Sequence, residues 1–223
     1  MEPQEPNGDA LAAASAVVIG AGALGTVAAQ QIAAGGIGRI GIVDPALAAG
    51  EQSRAEATAG AVYGLHSGVL VEPYPALLEQ ANAEAIIGGY DVAVDCTNDT
   101  LTRALASDAC VGLRMPLVVA AVAGGRGLVT TVVPGEGACA RCSERELADA
   151  LAGTEGSQPA VAVVLGALAA LEAAALVAGT GGSLAGRALL LDTGGMSASE
   201  LKLDRDPGCA LCSPGRDRTQ AVL

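Results

Sequence analysis

Two pairs of cysteines constrain the fold of this chain more than any other feature of its sequence. Cys139 and Cys142 form one Cys-x-x-Cys pair, and Cys209 and Cys212 form the other. Four thiolates with this spacing are typical ligands of a structural zinc ion. The 66 residues between the pairs are more than a compact zinc ribbon contains. The fold therefore has to bring the two pairs together from distant parts of the chain.

A zinc ion bound in this way would be a staple, meaning a metal cross-link that closes a long loop and holds the C-terminal part. Four thiolate ligands leave no open coordination position, so the predicted site is structural and not catalytic. The alternative is two unrelated pairs of reduced thiols. Cys96 and Cys110 remain outside both pairs, and the sequence assigns them no role.

A glycine-rich turn follows the first predicted strand. A β-branched run at 16–19 predicts a strand, 24–34 a helix and 40–43 a second strand. Gly20, Gly22 and Gly25 lie in the turn between the first strand and the helix, a spacing typical of nucleotide binding. Asp44 follows 19 residues after Gly25, where an acidic residue is expected to meet a ribose. The alternative is an ordinary strand-to-helix turn.

The rest of the chain continues this alternation of strands and helices. Further strands are predicted at 69–71, 92–95, 117–122, 127–133, 188–191 and 199–203, and helices at 54–65, 79–87, 99–113 and 159–177. Residues 143–158 are expected to be a polar connection. We predict an α/β fold: a doubly wound, Rossmann-like sheet with a C-terminal β extension and the four-cysteine zinc staple. Residues 1–212 would form a single domain and 213–223 a flexible tail.

Composition and charge exclude several classes of protein. Hydrophobic residues make up 51% of the chain, which excludes a disordered protein. The net charge of −12 argues against binding to nucleic acid, because phosphate contacts need lysine and arginine. The uninterrupted apolar run at 160–171 has 12 residues, too few to span a bilayer. No signal peptide is visible at the start, so we expect a cytoplasmic protein without a membrane span.

Polar residues follow the strand predicted at 92–95. Asp95 ends that strand, and ligands of open α/β sheets bind at the carboxyl ends of strands. Asp95 is therefore a candidate carboxylate for Mg²⁺ beside a triphosphate. The alternative role of this segment is to cap the next helix through Thr97 or Asn98.

Together, these motifs make the chain resemble the ThiF/MoeB/HesA adenylyltransferases, the bacterial relatives of ubiquitin-activating enzymes. The matching stretches are residues 17–44, 91–99, 132–143 and 161–212. The resemblance implies an enzyme that binds ATP and Mg²⁺. Such enzymes join a carboxylate, often the C-terminal glycine of a ubiquitin-like sulfur carrier, to AMP with loss of pyrophosphate.

The resemblance also implies roles for individual residues. Gly20, Gly22 and Gly25 would approach the phosphates, Asp44 would hold the ribose, and Asp95 would lie beside Mg²⁺. The four paired cysteines would bind zinc.

The chain departs from the family pattern mainly in its positive charges. The family has an arginine in an N-terminal helix, but residues 1–20 contain no basic residue. Nine residues separate Asp44 from Arg54, so the family's Asn-x-x-Arg-Gln stretch is missing and Arg54 stands where a lysine starts a helix. A second alignment makes Arg54 the family arginine and leaves no lysine. Arg126, in the glycine-rich turn at 124–127, is the candidate for a relocated cation.

Three functions follow from these observations. The first is an adenylyltransferase that activates a carrier protein or peptide without a thioester step, because residues 143–158 contain no cysteine. The second is a catalytically degenerate family member that acts as a zinc-stabilised scaffold or partner subunit. The third, ranked lowest, is an NAD(P) oxidoreductase. A homodimer, or a heterodimer with a family member, is expected in the first two cases.

Overall fold

One sheet organises the part of the chain that the structure describes. The structure, a computed structural model, describes residues 8–48, 52–153, 158–180 and 184–213. The predictions for residues 1–7 and for the tail beyond Ser213 lie outside these ranges. The strands are β1 (Ser15–Ile19), β2 (Arg39–Val43), β3 (Leu70–Tyr74), β4 (Val92–Asp95), β5 (Leu117–Ala123), β6 (Arg126–Val132), β7 (Arg187–Asp192) and β8 (Ser197–Lys202).

Helices cover both faces of the sheet. They are α1 (Gly8–Ala13), α2 (Ala23–Ala34), α3 (Arg54–Leu65), α4 (Ala83–Ile87), α5 (Thr100–Leu113), α6 (Ala140–Leu151) and α7 (Pro159–Ala178). Apolar residues on one face pack with α1, α2, α3 and α7. Those on the other face pack with α4, α5 and the two cysteine pairs.

The strand order confirms the predicted doubly wound sheet with a C-terminal β extension. The order is β3-β2-β1-β4-β5-β6-β7-β8, in which β1 to β5 are parallel and β6 to β8 are antiparallel. The chain winds from β1 outward to β3, then crosses back to place β4 on the other side of β1. Ligands of open α/β sheets bind at such a switch point, outside the carboxyl ends of the strands.

Strand β1 shows why the sequences of the central strands are continuous apolar runs. All five of its residues are buried. Val18 contributes to the core beneath α2 and α7, whereas Val17 contributes to the core beneath α5. Because successive side chains point to opposite faces, a strand covered on both faces needs apolar residues at every position.

Helix α6 corrects one prediction. Its bounds show that the first half of residues 143–158 is helical and not an irregular polar connection. Glu144 and Arg145 are exposed, while Leu147 packs in a small core with Leu128 and Leu203. The buried residues Ala140, Ser143 and Leu147 follow the helical spacing of three and four, and the mostly polar composition of the segment is what favoured a connection in the sequence.

Helix α7 lies against α2 and the sheet. Among the described helices, it is the one that meets the length and composition of a membrane span, and 39% of its most apolar stretch is buried inside the fold. Leu165 and Ala169 are completely buried in the core. Glu172 is also buried, and its Oε1 accepts hydrogen bonds from the Thr131 hydroxyl and the Leu184 N–H. These contacts favour a core helix, as the sequence predicts.

A glycine at the crossing of α2 and α7 gives a test of this packing. A Cβ at Gly166 would lie 2.8 Å from the Leu24 carbonyl oxygen and 2.9 Å from the Cβ of Val27. We expect Gly166→Ala to lower the free energy of unfolding by about 1–3 kcal/mol, because the helices must move apart. Urea denaturation monitored by circular dichroism measures this change.

The matched control is Gly60→Ala in α3, where a Cβ would meet nothing within 4 Å. This variant should be more stable than the wild type by about 0.5–1 kcal/mol, since alanine favours the helix. Equal effects of the two substitutions would show that α2 and α7 are not in close contact.

Candidate nucleotide cleft and thiolate cluster

The carboxyl ends of β1, β2 and β4 meet at one point of the sheet edge. Ile19 is level with Val43 of β2 and with Asp95 of β4. Beyond the strand ends, the Gly20 N–H donates to the Val43 carbonyl and the Cys96 N–H donates to the Ile19 carbonyl. The glycine turn is therefore held between the other two strand ends.

Each glycine of the turn meets a different steric requirement. Gly20 has a φ of +92°, a region that favours glycine. A Cβ at Gly25 would lie 1.7 Å from the Gly20 carbonyl oxygen, so α2 can approach the turn this closely only without a side chain. A Cβ at Gly22 would meet nothing within 4 Å, since this position faces open space at the start of α2.

Asp44 is held against the glycine turn. Its Oδ2 accepts the Ala21 N–H at 2.7 Å, and its Oδ1 accepts the Ala46 N–H at 2.8 Å. Only 6% of the residue is exposed. A carboxylate oxygen has further lone pairs beyond these single bonds. Asp44 is therefore fixed in orientation and still able to accept hydrogen bonds from a ligand.

Two cavities flank the glycine turn. The smaller, of about 290 Å³, is lined by Ile19, Gly20, Val43, Asp44, Pro45, Ala46, Arg54, Ala76, Leu77, Leu78, Thr97, Asp99 and Thr102. The larger, of about 720 Å³, is lined by Ala21, Gly22, Ala23, Thr26, Leu47, Ala48, Arg54, Ala57, Thr58 and Ala61. The larger cavity lies at the N-terminus of α2, which is suited to anions. The structure thus places Gly20, Gly22, Asp44 and Arg54, four of the candidate residues, around these two cavities.

Arg54 belongs to both cavities. It is the first residue of α3, which begins with a capping box: the Ser53 hydroxyl accepts the Glu56 N–H, and the Glu56 carboxylate accepts the Ser53 N–H. This box fixes the backbone from which the Arg54 side chain extends. Arg54 is exposed and forms no ion pair with any residue in the described ranges. Arg54 is the cation that lines both cavities.

The sequence predicts that Asp95 faces a ligand, but in the structure this carboxylate is enclosed by the protein. It is completely buried, its Oδ1 accepts the Thr97 N–H and hydroxyl, and its Oδ2 accepts Arg103 Nε at 3.1 Å. Burial raises the pKa of Asp95, and the Arg103 guanidinium opposes that rise. Asp95 is not among the described residues that line the two cavities. Its role beside Mg²⁺ stays a prediction.

Arg126 also has a protein partner. It begins β6, and its Nε donates to Asp192 Oδ2 at 2.8 Å. Arg126 does not occur among the described residues that line either cavity. The structure therefore does not bring it together with Arg54, and its catalytic role stays a prediction.

Asp99 is a site residue that the sequence reasoning missed. It caps α5, because its Oδ2 accepts the Thr102 N–H and hydroxyl, and it lines the smaller cavity with Asp44. The proposed caps Thr97 and Asn98 were wrong by one or two positions. The Thr102 hydroxyl, together with the Thr102 N–H, lowers the pKa of Asp99. The signal in the sequence was its spacing of three residues from Thr102.

The four paired cysteines converge, as their spacing predicts. Their sulfur atoms all lie within 4.8 Å of one another. The Sγ–Sγ distances are 3.6 Å for Cys139–Cys142, 3.7 Å for Cys139–Cys209 and 3.4 Å for Cys142–Cys212. Four thiolates at about 2.3 Å from a tetrahedral ion lie roughly 3.8 Å apart. The cluster is therefore suited to holding a metal ion.

Cys96 and Cys110 lie apart from this cluster. Burial raises the pKa of Cys96 well above its ordinary value and raises the pKa of Cys110 to about 12, and the Asp95 charge adds to both shifts. Both thiols are protonated at neutral pH. Neither has the properties of an activated nucleophile.

Comparison with known families identifies the family that shares this sequence pattern. Residues 46–211 match the model of the ThiF family. The chain belongs to the ThiF family. The matched segment contains Arg54 and most of the thiolate cluster, and it begins after the glycine turn. The resemblance stated from the sequence motifs is confirmed.

Two curated relatives show how much of a longer protein the chain matches. The adenylyltransferase and sulfurtransferase MOCS3 of Bos taurus is 38% identical over 185 residues, which are 73% of this chain and 40% of MOCS3. The SAMP-activating enzyme E1 of Haloferax volcanii is 35% identical over 159 residues, or 64% of this chain and 58% of that enzyme. The chain thus spans less than two thirds of either relative.

Solved structures share the fold at low sequence identity. A crystal structure of E. coli MccB with ATP matches 92% of this chain and 68% of MccB, with a TM-score of 0.79 and 16% identity. PaaA matches 87% of this chain and 74% of its own length, with a TM-score of 0.71 and 14% identity. These likenesses confirm the Rossmann-like fold.

The thiolate cluster gives a test with a direct readout. We expect the purified protein to contain one metal ion per chain and Cys209→Ser to lose it, as measured by inductively coupled plasma mass spectrometry. The variant should also lose about 2 kcal/mol or more of stability, by analogy with other cross-links that close long loops. This corresponds to roughly 4–8 °C in melting temperature for a chain of this size.

Ser213→Ala is the matched control, because Ser213 adjoins the second cysteine pair and contributes no sulfur. This variant should retain the metal. A wild-type protein free of metal after purification without chelators would mean that the four thiols are only neighbours.

Proposed function

We propose that this chain is an ATP-dependent adenylyltransferase that activates a carboxylate as an acyl-adenylate. One observation carries the proposal: the Arg54 guanidinium, which pairs with no carboxylate of the described residues, borders both the cavity beside Asp44 and the cavity at the start of α2. The relatives add support, since MOCS3 is named an adenylyltransferase and the SAMP-activating enzyme an E1.

The two cavities suit the two parts of ATP. The ribose fits the smaller cavity, where the fixed Asp44 carboxylate can accept hydrogen bonds from its hydroxyl groups. The phosphates fit the larger cavity, where α2 offers unpaired N–H groups and Gly22 adds no side chain. Mg²⁺, when bound with the nucleotide, would offset part of the phosphate charge.

Arg54 would supply the positive charge that the reaction needs. Attack of a carboxylate on the α-phosphate places negative charge on the phosphate oxygens, and a positioned cation stabilises that charge. Arg39 is the only other arginine or lysine before Arg103, and it pairs with Glu72 at the opposite, amino end of β2. The charge that Arg54 brings to the cleft is therefore not duplicated by Arg39.

A third cavity points to the class of substrate. It measures about 350 Å³ and is lined by Asn98, Thr100, Arg103, Ala121, Val122, Ala123, Leu128, Leu147, Ala148 and Leu151. The segment between β4 and α5 separates it from the ATP cavity: Thr97 and Asp99 face one side, Asn98 and Thr100 the other. A wall of alanine, valine and leucine side chains, with Asn98 and Thr100 on the opposite segment, suits the extended C-terminal tail of a carrier protein or peptide.

The substrate classes of related proteins agree with this choice. The relative from Haloferax volcanii is named for the activation of SAMP, and crystal structures of MccB contain MccA. For this chain, we propose the C-terminal carboxylate of a ubiquitin-like carrier or a peptide.

No thioester step follows adenylation in this proposal. Four of the six cysteines form the thiolate cluster, in which a zinc ion would occupy the sulfur atoms. The remaining thiols, Cys96 and Cys110, are buried enough to stay protonated. The zinc site is structural, because it joins α6 to the C-terminal cysteine pair and has no open position.

The second candidate function is a scaffold or partner subunit that has lost catalysis. The observation in its favour is the pairing of Arg103 with Asp95 and of Arg126 with Asp192, which leaves Arg54 to serve the cleft. An NAD(P) oxidoreductase remains the third candidate. Thermal stabilisation by ATP and Mg²⁺ without exchange activity would indicate the scaffold, and stabilisation by NAD(P) alone the oxidoreductase.

A dimer and a cytoplasmic location complete the proposal. The outer face of α7 exposes Val163, Val164 and Leu171, the last to 68%. A second copy of this chain, or a family member, would cover these side chains. The net charge of −12 disfavours nucleic acid as a partner. Reduced thiols fit the cytoplasm, and the packing of α7 fits a protein without a membrane span.

The decisive experiment is ATP–pyrophosphate exchange. Wild-type protein should exchange labelled pyrophosphate into ATP when supplied with a small carrier ending in Gly-Gly or with a candidate peptide. Arg54→Gln should lower the exchange rate by about 10²-fold or more, because one phosphate-facing cation is lost.

Arg145→Gln removes the same charge from an exposed position on α6 and should leave exchange unchanged. Normal exchange by Arg54→Gln would contradict the assigned role of Arg54. Absence of exchange with every carboxylate tested, despite ATP binding, would favour the scaffold.

A second test concerns the contact of the backbone with the phosphates. Gly22→Ala should weaken ATP binding by about tenfold or more, equal to about 1.4 kcal/mol, because its methyl group would occupy the phosphate cavity. Its folding should change by about 1 kcal/mol or less, since a Cβ there meets no other atom within 4 Å. Isothermal titration calorimetry and thermal melting measure the two quantities.

Gly25→Ala provides the contrast, because its Cβ would overlap the Gly20 carbonyl oxygen and destabilise the fold itself. Unaltered ATP affinity in Gly22→Ala would place the phosphates elsewhere.

A further inference from the structure

The third cavity contains one arginine among mostly apolar walls. Of the described residues that line it, Arg103 is the one with a charged side chain. Asn98 also borders this cavity, but its Nδ2 donates to the Val122 carbonyl at 2.8 Å and its Oδ1 accepts the Val122 N–H at 3.2 Å. Because Val122 occupies both ends of the Asn98 amide, the Arg103 guanidinium is the strongest donor that these walls offer to a ligand.

The Arg103 guanidinium is only partly satisfied by the protein. Its Nε donates to Asp95 Oδ2 at 3.1 Å, and its Nη2 donates to the Thr97 carbonyl at 3.0 Å. A guanidinium carries five N–H groups, and Nη1 has no hydrogen-bond partner among the described residues. No side-chain nitrogen in the described ranges is both fully buried and without a partner. Since the Arg103 side chain is only 9% exposed and lines the third cavity, Nη1 reaches the surface of that cavity.

The edge of β5 shows why a tail in this cavity needs a side-chain donor. Asp95, the last residue of β4, is level with Val119, whereas β5 continues to Ala123. Beyond Val119, the Asn98 amide takes the place of a neighbouring strand at Val122. An extended tail therefore cannot pair with Val122 as an added strand, and its buried carbonyl groups require another donor.

The ion pair of Arg103 with Asp95 decides which group of the tail Arg103 suits. The Asp95 carboxylate neutralises the guanidinium and fixes its orientation, so the pair suits an uncharged main-chain carbonyl. A tight bond to the reacting carboxylate would instead stabilise it before the reaction and slow its attack on ATP. Arg103 also lines neither ATP cavity, so the carboxylate that reacts there must extend beyond it.

We propose that Arg103 is a substrate-binding residue whose Nη1 donates to a main-chain carbonyl of the tail in the third cavity and so positions the terminal carboxylate for attack on ATP. In this role, the ion pair with Asp95 keeps the donor oriented toward the tail. The inference deepens the proposed function and rests on it, because a tail enters the third cavity only when a carrier or peptide is the substrate.

Arg103→Lys tests this role, because lysine keeps a positive charge beside Asp95 but lacks Nη1. Isothermal titration calorimetry with Mg²⁺ and the non-reactive analogue AMPCPP would measure binding of a synthetic peptide ending in Gly-Gly and of the same peptide with a C-terminal amide. We expect the variant to bind both peptides about tenfold more weakly than the wild type, since one hydrogen bond from a charged group is lost. Its affinity for AMPCPP should remain near that of the wild type.

Arg187→Lys is the matched control, because Arg187 pairs with Glu200 and is not among the described residues that line the third cavity. This variant should bind both peptides as the wild type does. A second measurement needs no variant and decides the matter if Arg103→Lys does not fold. Replacing the last peptide bonds of the tail one at a time by an ester gives a weaker carbonyl acceptor, which at one position should weaken binding by the wild type about fivefold.

Loss of affinity by Arg103→Lys for the free carboxylate alone would mean that Arg103 holds the carboxylate, which overturns the proposal. Equal peptide binding by the variant and the wild type, or no binding of either peptide by the wild type, would overturn it as well. The proposed function survives these results as long as the wild type supports ATP–pyrophosphate exchange. Absence of exchange with every carboxylate tested would defeat the proposed function, and the role of Arg103 with it.

Discussion

The cleft depends on a backbone contact that only glycine permits. The Gly20 carbonyl oxygen lies where a Cβ of Gly25 would be, so α2 starts directly against the end of β1. This contact directs the first turn of α2 at the switch point of the sheet, between the ends of β2 and β4. The contact between Gly20 and Gly25 also positions Asp44 and the ends of both cavities, since Asp44 binds the backbone of the same turn.

The second constraint is electrostatic. The chain carries 24 acidic and 12 basic residues, so an anionic ligand needs a local source of positive charge. The structure uses Arg103 and Arg126 in ion pairs with Asp95 and Asp192, whereas Arg54 stays unpaired within the described ranges. Helix N-termini and backbone N–H groups add positive potential to that of Arg54, and they need no further charged side chain. The site is thus built largely from backbone.

The thiolate cluster and the cleft are separate parts of one core. Cys139 and Cys209 are buried with Val17 and Val119 on the face of the sheet opposite α2. Helix α6 starts beside the cluster, and its Leu147 and Leu151 reach the wall of the third cavity. A metal ion at the cluster would therefore stabilise, through α6, one wall of the third cavity, which is proposed to bind the substrate. It would do so without contact with the nucleotide.

The sequence by itself determined the sheet, its main helices and the convergence of the four paired cysteines. Strands buried on both faces are apolar at every position, glycine spacing marks a tight turn, and Cys-x-x-Cys pairs mark a metal cluster. These signals come from residues close together in the chain, so they can be recognised without knowledge of the fold. The mostly polar composition of α6 predicted a connection, although its buried residues Ala140, Ser143 and Leu147 follow a helical period.

Only the tertiary structure decided what each charged side chain does. Asp95 and Asp99 are both aspartates near the carboxyl end of β4. Asp95 is nevertheless buried in an ion pair with Arg103, whereas Asp99 faces a cavity. Arg126 lies at a strand end, as expected, yet Asp192, 66 residues away, binds it. The physical reason is that solvation and charge pairing depend on neighbours brought together by folding, whereas backbone conformation and apolar periodicity depend on residues close in the chain.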